Sequence, residues 1–203
     1  MLSTMTSQPR RRMSAEARRE QILDVTHAII TAEGFHAATP NRIAETAGVN
    51  RSLLYQQFGD PAKLFVALID REAARAAAQF AQAVSSTSDS GANPALRAFD
   101  SVLDAVDASP ATWRLFLLPP QGAPPELYER LNQAQAIVRE HLIARLRRLG
   151  PDLEDPEYTA RILQAVCREL LQLRLTEPES ATRERLHSLA RRFGSELLPG
   201  IRP

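Results

Sequence analysis

The stretch 39–58, TPNRIAETAGVNRSLLYQQF, limits the possible folds most severely, because it sets two helix starts around a glycine stop. Thr39 is suited to cap a helix, and Pro40 to its first position, where no backbone N–H is needed. Ile43, Ala44 and Ala47 then share one face. Gly48 ends that helix, since glycine takes the left-handed C-terminal conformation at little cost. Val49 is placed to plug the turn, and Asn50 to cap a second helix. On that helix Leu54 and Phe58 recur at i, i+4 and bury together. Ser52 and Gln56 point the opposite way, with Arg51, Tyr55 and Gln57 on the flanks. Two short helices across a tight turn, with spare polar groups on the second, follow the helix-turn-helix plan, whose second helix enters a DNA major groove.

The rest of the chain is punctuated by cap-type residues followed by proline: Asp60-Pro61, Asn93-Pro94, Ser109-Pro110 and Asp155-Pro156. Glu177-Pro178 and Pro124-Pro125 mark further breaks. Apolar spacing between these points is helical throughout, and aromatics are sparse at 5%, so the expected class is all-α. The pattern predicts about nine helices, at roughly 14–32, 40–47, 51–57, 61–84, 94–108, 110–118, 125–149, 156–176 and 181–198. The segment 85–91, SSTSDSG, reads as a linker. Ile22, Val25, Ile29 and Ala32 form the stripe by which the first helix covers the two reading helices. On the fourth helix Leu64, Phe65, Leu68 and Ile69 face the same unit, while Phe80 and Val84 lie beyond it.

From Arg19 to Leu68 the chain resembles the DNA-binding domain of TetR-type transcriptional regulators. The resemblance rests on an ordered set: Ile22-Leu23, Glu33-Gly34-Phe35, Ala38-Thr39, Ile43-Ala44, Ala47-Gly48-Val49, Leu54-Tyr55, Phe58 and Leu64. It implies a basic flexible arm at 1–13, a DNA-binding domain at 14–60, a linker helix at 61–85 and a ligand-binding and dimerisation domain at 86–203. It also implies DNA contacts from Arg51, Gln56 and Gln57, whose chemistry suits guanine and adenine edges. Tyr55 and Ser52 would donate to phosphate, with Thr39 and Asn41 at the start of the preceding helix beside the backbone. Two positions depart from the family's habit. Leu53 replaces a hydroxyl residue but is able to touch a thymine methyl, and Pro61 displaces a lysine, leaving Lys63 two residues on. The arm's Arg10, Arg11 and Arg12, followed by Arg18 and Arg19, suit a minor groove, or equally a solvated tail.

For the C-terminal half the resemblance implies a small-molecule pocket, for which Phe99, Leu103, Trp113, Phe116, Leu117 and Tyr128 are the candidate lining. The same side chains would serve equally as a plain core. The helix at 156–176 is apolar nearly all round, and the last helix carries a stripe of Leu186, Leu189, Phe193 and Leu197. Together with Ile162, Val166, Leu170 and Leu173 these are the expected surface of a homodimer, which would present two reading helices to a palindromic operator.

Enzyme chemistry finds no foothold. His27, His36, His141 and His187 share no metal-ligand spacing, no phosphate-cradling glycine loop occurs, and Cys167 sits in an apolar helix. No cofactor, metal or catalytic residue is therefore expected. The net charge of +1 confines any DNA attraction to local charge. A single cysteine, no apolar leader and no membrane-length apolar run favour a soluble cytoplasmic protein. The expected function is ligand-responsive regulation of transcription, most simply repression. The rival is a helical interaction module that binds DNA only weakly, motivated by Leu53 and Pro61.

Overall fold

Side-chain caps set the helix starts. In the computed structural model, which describes residues 13–85, 94–150 and 153–197, Ser14 Oγ accepts from the Ala17 amide and opens α1 (Ala15–Glu33). Thr39 caps α2 (Pro40–Ala47), Asn50 caps α3 (Arg51–Phe58), and Asp60 Oδ1 accepts from the Lys63 amide at the head of α4 (Pro61–Ser85). There follow α5 (Pro94–Ala108), α6 (Pro110–Leu117), α7 (Pro125–Leu149), α8 (Pro156–Thr176), capped by Asp155, and α9 (Arg183–Leu197). No strand occurs among the described residues. Ser109 departs from the pattern: its hydroxyl makes no cap bond and instead accepts from Gln79 Nε2 at 2.9 Å. Asn93, most of the linker at 85–91 and the arginines at 10–12 lie outside the described residues.

Two apolar cores result. The first joins Ile22, Ile30, Ile43, Leu54, Phe58, Leu64, Leu68 and Ile69. Phe35, in a short 3-10 turn (Phe35–Ala37) that periodicity does not reveal, meets Phe65 edge to face at 5.4 Å. Leu115, Phe116 and Leu127, from α6 and α7, also enter this core, so the C-terminal half helps to build the N-terminal one. The second core gathers Phe99, Leu103, Val106, Trp113, Leu170, Leu171, Leu175 and Leu186. The long helix α4 serves both, with Leu64 to Ile69 in the first and Phe80 against the second.

Two expected stripes need correction. Ala32 is exposed, because the buried face of α1 turns through Leu23, Thr26, His27 and Ile30 instead. Nor is α8 buried all round: Arg161, Arg168 and Glu169 are exposed, and they share that outer side with Ile162, which is 48% accessible.

Candidate nucleic-acid interface

The turn between α2 and α3 is closed by Gly48, whose φ of +64° is left-handed. Its amide and that of Val49 return to carbonyls of the last turn of α2, with Val49 N–H donating to Ala44 at 2.9 Å. A side chain at position 48 would meet open space, so glycine is needed there for backbone freedom alone. Leu54 and Phe58 anchor α3 in the first core.

Polar groups from α1 then lock the ends of both short helices. Gln21 Nε2 donates to the Ala47 carbonyl at 3.3 Å, at the end of α2. Arg19 Nη1 donates to the Gln57 carbonyl at 2.8 Å, while its guanidinium lies 4.2 Å from the centre of the Phe58 ring. Arg19, which follows the basic arm in the sequence and shares its charge, is therefore a clamp on the end of α3. A helix of eight residues is marginal alone. Its rigidity comes from these clamps and its two apolar anchors.

The outward face of α3 carries Arg51, Ser52, Tyr55 and Gln56, all exposed; Leu53 and Gln57 are half-buried. Arg51 folds back on Tyr55, donating from Nη2 to the phenol oxygen at 3.0 Å with its guanidinium 5.7 Å from the ring centre. The phenol accepts in that bond, so its own proton stays available to a phosphate. Thr39 and Asn41 are exposed at the start of α2. Lys63 is exposed, with Nζ 3.7 Å from the Asp60 carboxylate. Arg42 also lies on this side, but Glu33 holds it in a two-point ion pair, which includes Nη1 to Oε2 at 2.7 Å. The hydrogen bonds from Arg42 hold the Glu33 carboxyl below its ordinary range.

The C-terminal candidates divide. Phe99, Leu103 and Trp113 pack in the second core with Leu117 at its margin, Phe116 belongs to the first core, and Tyr128 is 46% accessible. Trp113 Nε1 donates to Gln79 Oε1 at 2.8 Å, tying α6 to α4 beside that core. Of the expected dimer surface, Leu170 and Leu186 are buried inside the protomer, while Val166, Leu173 and Leu189 are half-buried. Ile162 and Phe193 are exposed, and the side chain of Leu197 lies outside the described residues.

A buried junction escaped sequence reading. Glu72 of α4 is fully buried and accepts from Thr112 Oγ1 of α6 at 2.5 Å, Arg71 Nε at 2.9 Å and Arg75 Nη1 at 2.9 Å. Arg71 reaches on to Glu20 and Asp24 of α1 at 2.8 and 2.9 Å. His27 of α1 sits 3.8 Å from Glu72 and 3.3 Å from the Ala111 carbonyl. Burial holds the His27 imidazole below its ordinary value, against the opposing pull of Glu72. The signal was present in the pattern, since Leu64, Leu68 and position 72 continue one i, i+4 row.

A helix-turn-helix on a three-helix core, joined by one long helix to a second helical core, defines a class of DNA-binding regulators. Residues 22–68 match the family described as bacterial regulatory proteins, tetR family. The HTH-type transcriptional activator FasR of Mycolicibacterium smegmatis is 32% identical over 78 residues, 38% of this chain and 36% of that protein. The HTH-type transcriptional repressor AcnR of Corynebacterium efficiens is 37% identical over 59 residues, 29% of this chain and 31% of that protein. The chain thus matches about a third of the length of these curated relatives. A TetR-like transcriptional regulator from Rhodococcus sp. RHA1 superposes with a TM-score of 0.65 at 24% identity, covering 93% of this chain and 100% of that one. At that identity the likeness is one of fold, and it runs through both helical cores. Residues 22–68 thus carry the helix-turn-helix domain of the tetR family, and the chain as a whole shares the fold of a TetR-like regulator. Among the described residues, no helix is long and apolar enough to cross a membrane.

Proposed function

We propose that the protein is a homodimeric transcriptional repressor, released from a palindromic operator by a small apolar ligand. The observation that carries this reading is the exposed quartet Arg51, Ser52, Tyr55 and Gln56 on a helix clamped at its end by Arg19 and held by Leu54 and Phe58. A preorganised polar face of that kind suits base edges and phosphates, not packing. In this reading residues 14–60 bind DNA, 61–85 link, and 86–203 bind ligand and dimerise. A ligand seated among Phe99, Leu103 and Trp113 would press on α4 near Gln79 and Phe80. The buried junction at Glu72 would carry that shift to α1. Release requires only that the ligand favour the conformation with lower DNA affinity.

The experiment incubates the purified protein with sheared DNA of its own organism at near-physiological salt and sequences the retained fragments. A shared palindrome supports the reading; random fragments, lost as salt rises, overturn it in favour of a weak, sequence-blind binder. Placing the recovered palindrome before a reporter then separates repression from activation, with lower transcription expected when the protein is present.

A further inference from the structure

A cleft of about 270 Å³ lies where the two cores meet, between the last turn of α1 and the end of α6. Ile30 and Thr31 line it from α1, and Leu118, Pro120 and Gln121 from the other side, with Arg114 of α6 also in the lining. The second wall is stiff, because prolines stand at 119, 120, 124 and 125 in the connection to α7. It also runs close to the end of α1, where a Cβ at Gly34 would lie 3.4 Å from the Gln121 carbonyl.

The charge in this cleft is unbalanced. Arg114 is half-buried, and its hydrogen bond among the described residues runs from Nη2 to the Leu175 carbonyl at 2.7 Å, with no carboxylate partner. Glu33, the acid of the cleft wall, is committed to Arg42. His36 adds an imidazole at the rim. Both nearby helix ends are internally satisfied, with Ile30 O accepting from Gly34 at 2.8 Å and Arg114 O from Leu118 at 2.9 Å. A half-buried arginine without a carboxylate partner, lining a small space whose walls mix apolar side chains with Thr31 and Gln121, matches a carboxylate on a short body.

We propose that this junction cleft binds a small monocarboxylic acid, its carboxylate on Arg114 and its body against Ile30, Leu118 and Pro120. The site is separate from the Phe99–Trp113 cluster and does not depend on the operator reading. An acid bound there would bridge α1 to the α6–α7 connection and fix the angle between the two cores.

The test titrates benzoate and butyrate, each beside its neutral amide, into the isotope-labelled full chain and follows backbone amide shifts. Saturable shifts centred on Gly34, His36, Gln121 and Gly122 are expected, with the amides binding about tenfold more weakly. Arg114→Gln should abolish acid binding. Because that change also frees the end of α8, Thr31→Phe provides a second variant, which fills the cleft and leaves Arg114 in place. Shifts centred on Phe99, Leu103 and Trp113, equal binding of acid and amide, undiminished binding by either variant, or no saturable shift with either acid would overturn the proposal. All of these readouts are independent of DNA.

Discussion

Thr112 of α6 donates its hydroxyl to Glu72 of α4 at 2.5 Å, and both side chains are buried. This bond ties a helix of the C-terminal half to the helix that runs into the DNA-binding unit. Arg71 carries the tie onward to Glu20 and Asp24 of α1. Removing the carboxylate strips Thr112 of its buried acceptor and leaves Arg71 with Glu20 and Asp24 alone and Arg75 with Glu20 at 3.8 Å. Glu72→Ala is therefore expected to cost about 3–5 kcal/mol of stability. Thr112→Val, which deletes one bond and leaves the ion pairs, should cost about 1–3 kcal/mol. Urea unfolding at fixed protein concentration measures both, and equal losses would show that Glu72 acts only through Thr112.

The same junction makes stability depend on pH in a defined direction. Burial lowers the His27 pKa below its ordinary 6.5, so the fold prefers the neutral ring. The unfolded chain takes up the proton first as pH falls. Stability should accordingly decline from about pH 6.5 down to the lowered value and level off below it. His141, also lowered by burial, adds to the slope. Glu33 and Asp107, both held below the ordinary carboxylate range, act in a separate and more acidic window. Thermal melts of His27→Gln across the histidine window, from about pH 6.5 downward, should show a flatter pH profile than the parent. An unchanged profile would assign the slope to His141.

Local signals made most of the fold legible. Thr39, Asn50, Asp60 and Asp155 cap the helices that their sequence positions suggest, and Gly48 takes the left-handed turn between α2 and α3. These are contests within one turn of chain, which neighbouring residues decide. The misses are long-range. Nothing local distinguishes a solvated Arg19 on the first helix from Arg19 stacked on Phe58, 39 positions of chain notwithstanding, because the contact exists only once α1 lies across α3. Phe116 and Trp113 are three residues apart on one helix, yet they serve different cores, since α6 crosses the seam between them. A lone carboxylate such as Glu72 ordinarily marks a solvated face, so its type alone does not signal burial. Its place on the row of Leu64 and Leu68 was the contrary sign.

On DNA, Arg51 and Tyr55 should behave differently although they touch. If Arg51 reads guanine, Arg51→Ala costs about 1–3 kcal/mol and relaxes preference at one base pair. If Tyr55 donates to a phosphate as proposed, Tyr55→Phe should weaken all sequences alike and leave the preference intact. Because the Arg51 guanidinium donates to the Tyr55 hydroxyl, the two losses should not add in the double variant. Fluorescence anisotropy on the recovered operator and its single-base variants decides each point. Strict additivity would mean that the pair separates when DNA binds.

The expected dimer surface contains two kinds of residue, and mutation should separate them. Leu186 is 1% accessible and belongs to the second core, so Leu186→Ala creates a cavity inside each protomer and should cost about 2–5 kcal/mol. Phe193, on the same helix, is 45% accessible, and Ile162 on α8 is 48% accessible. In the proposed homodimer both would be covered by the second copy. Ile162→Glu with Phe193→Glu should therefore leave the fold of the protomer intact while shifting the molecular mass in solution from dimer to monomer. The monomer should then bind a half-site and a full palindrome with nearly the same affinity, because the gain from joining two reading helices is gone. Light scattering after size exclusion measures the mass. A double variant that remains dimeric would place the interface on another face of the C-terminal half.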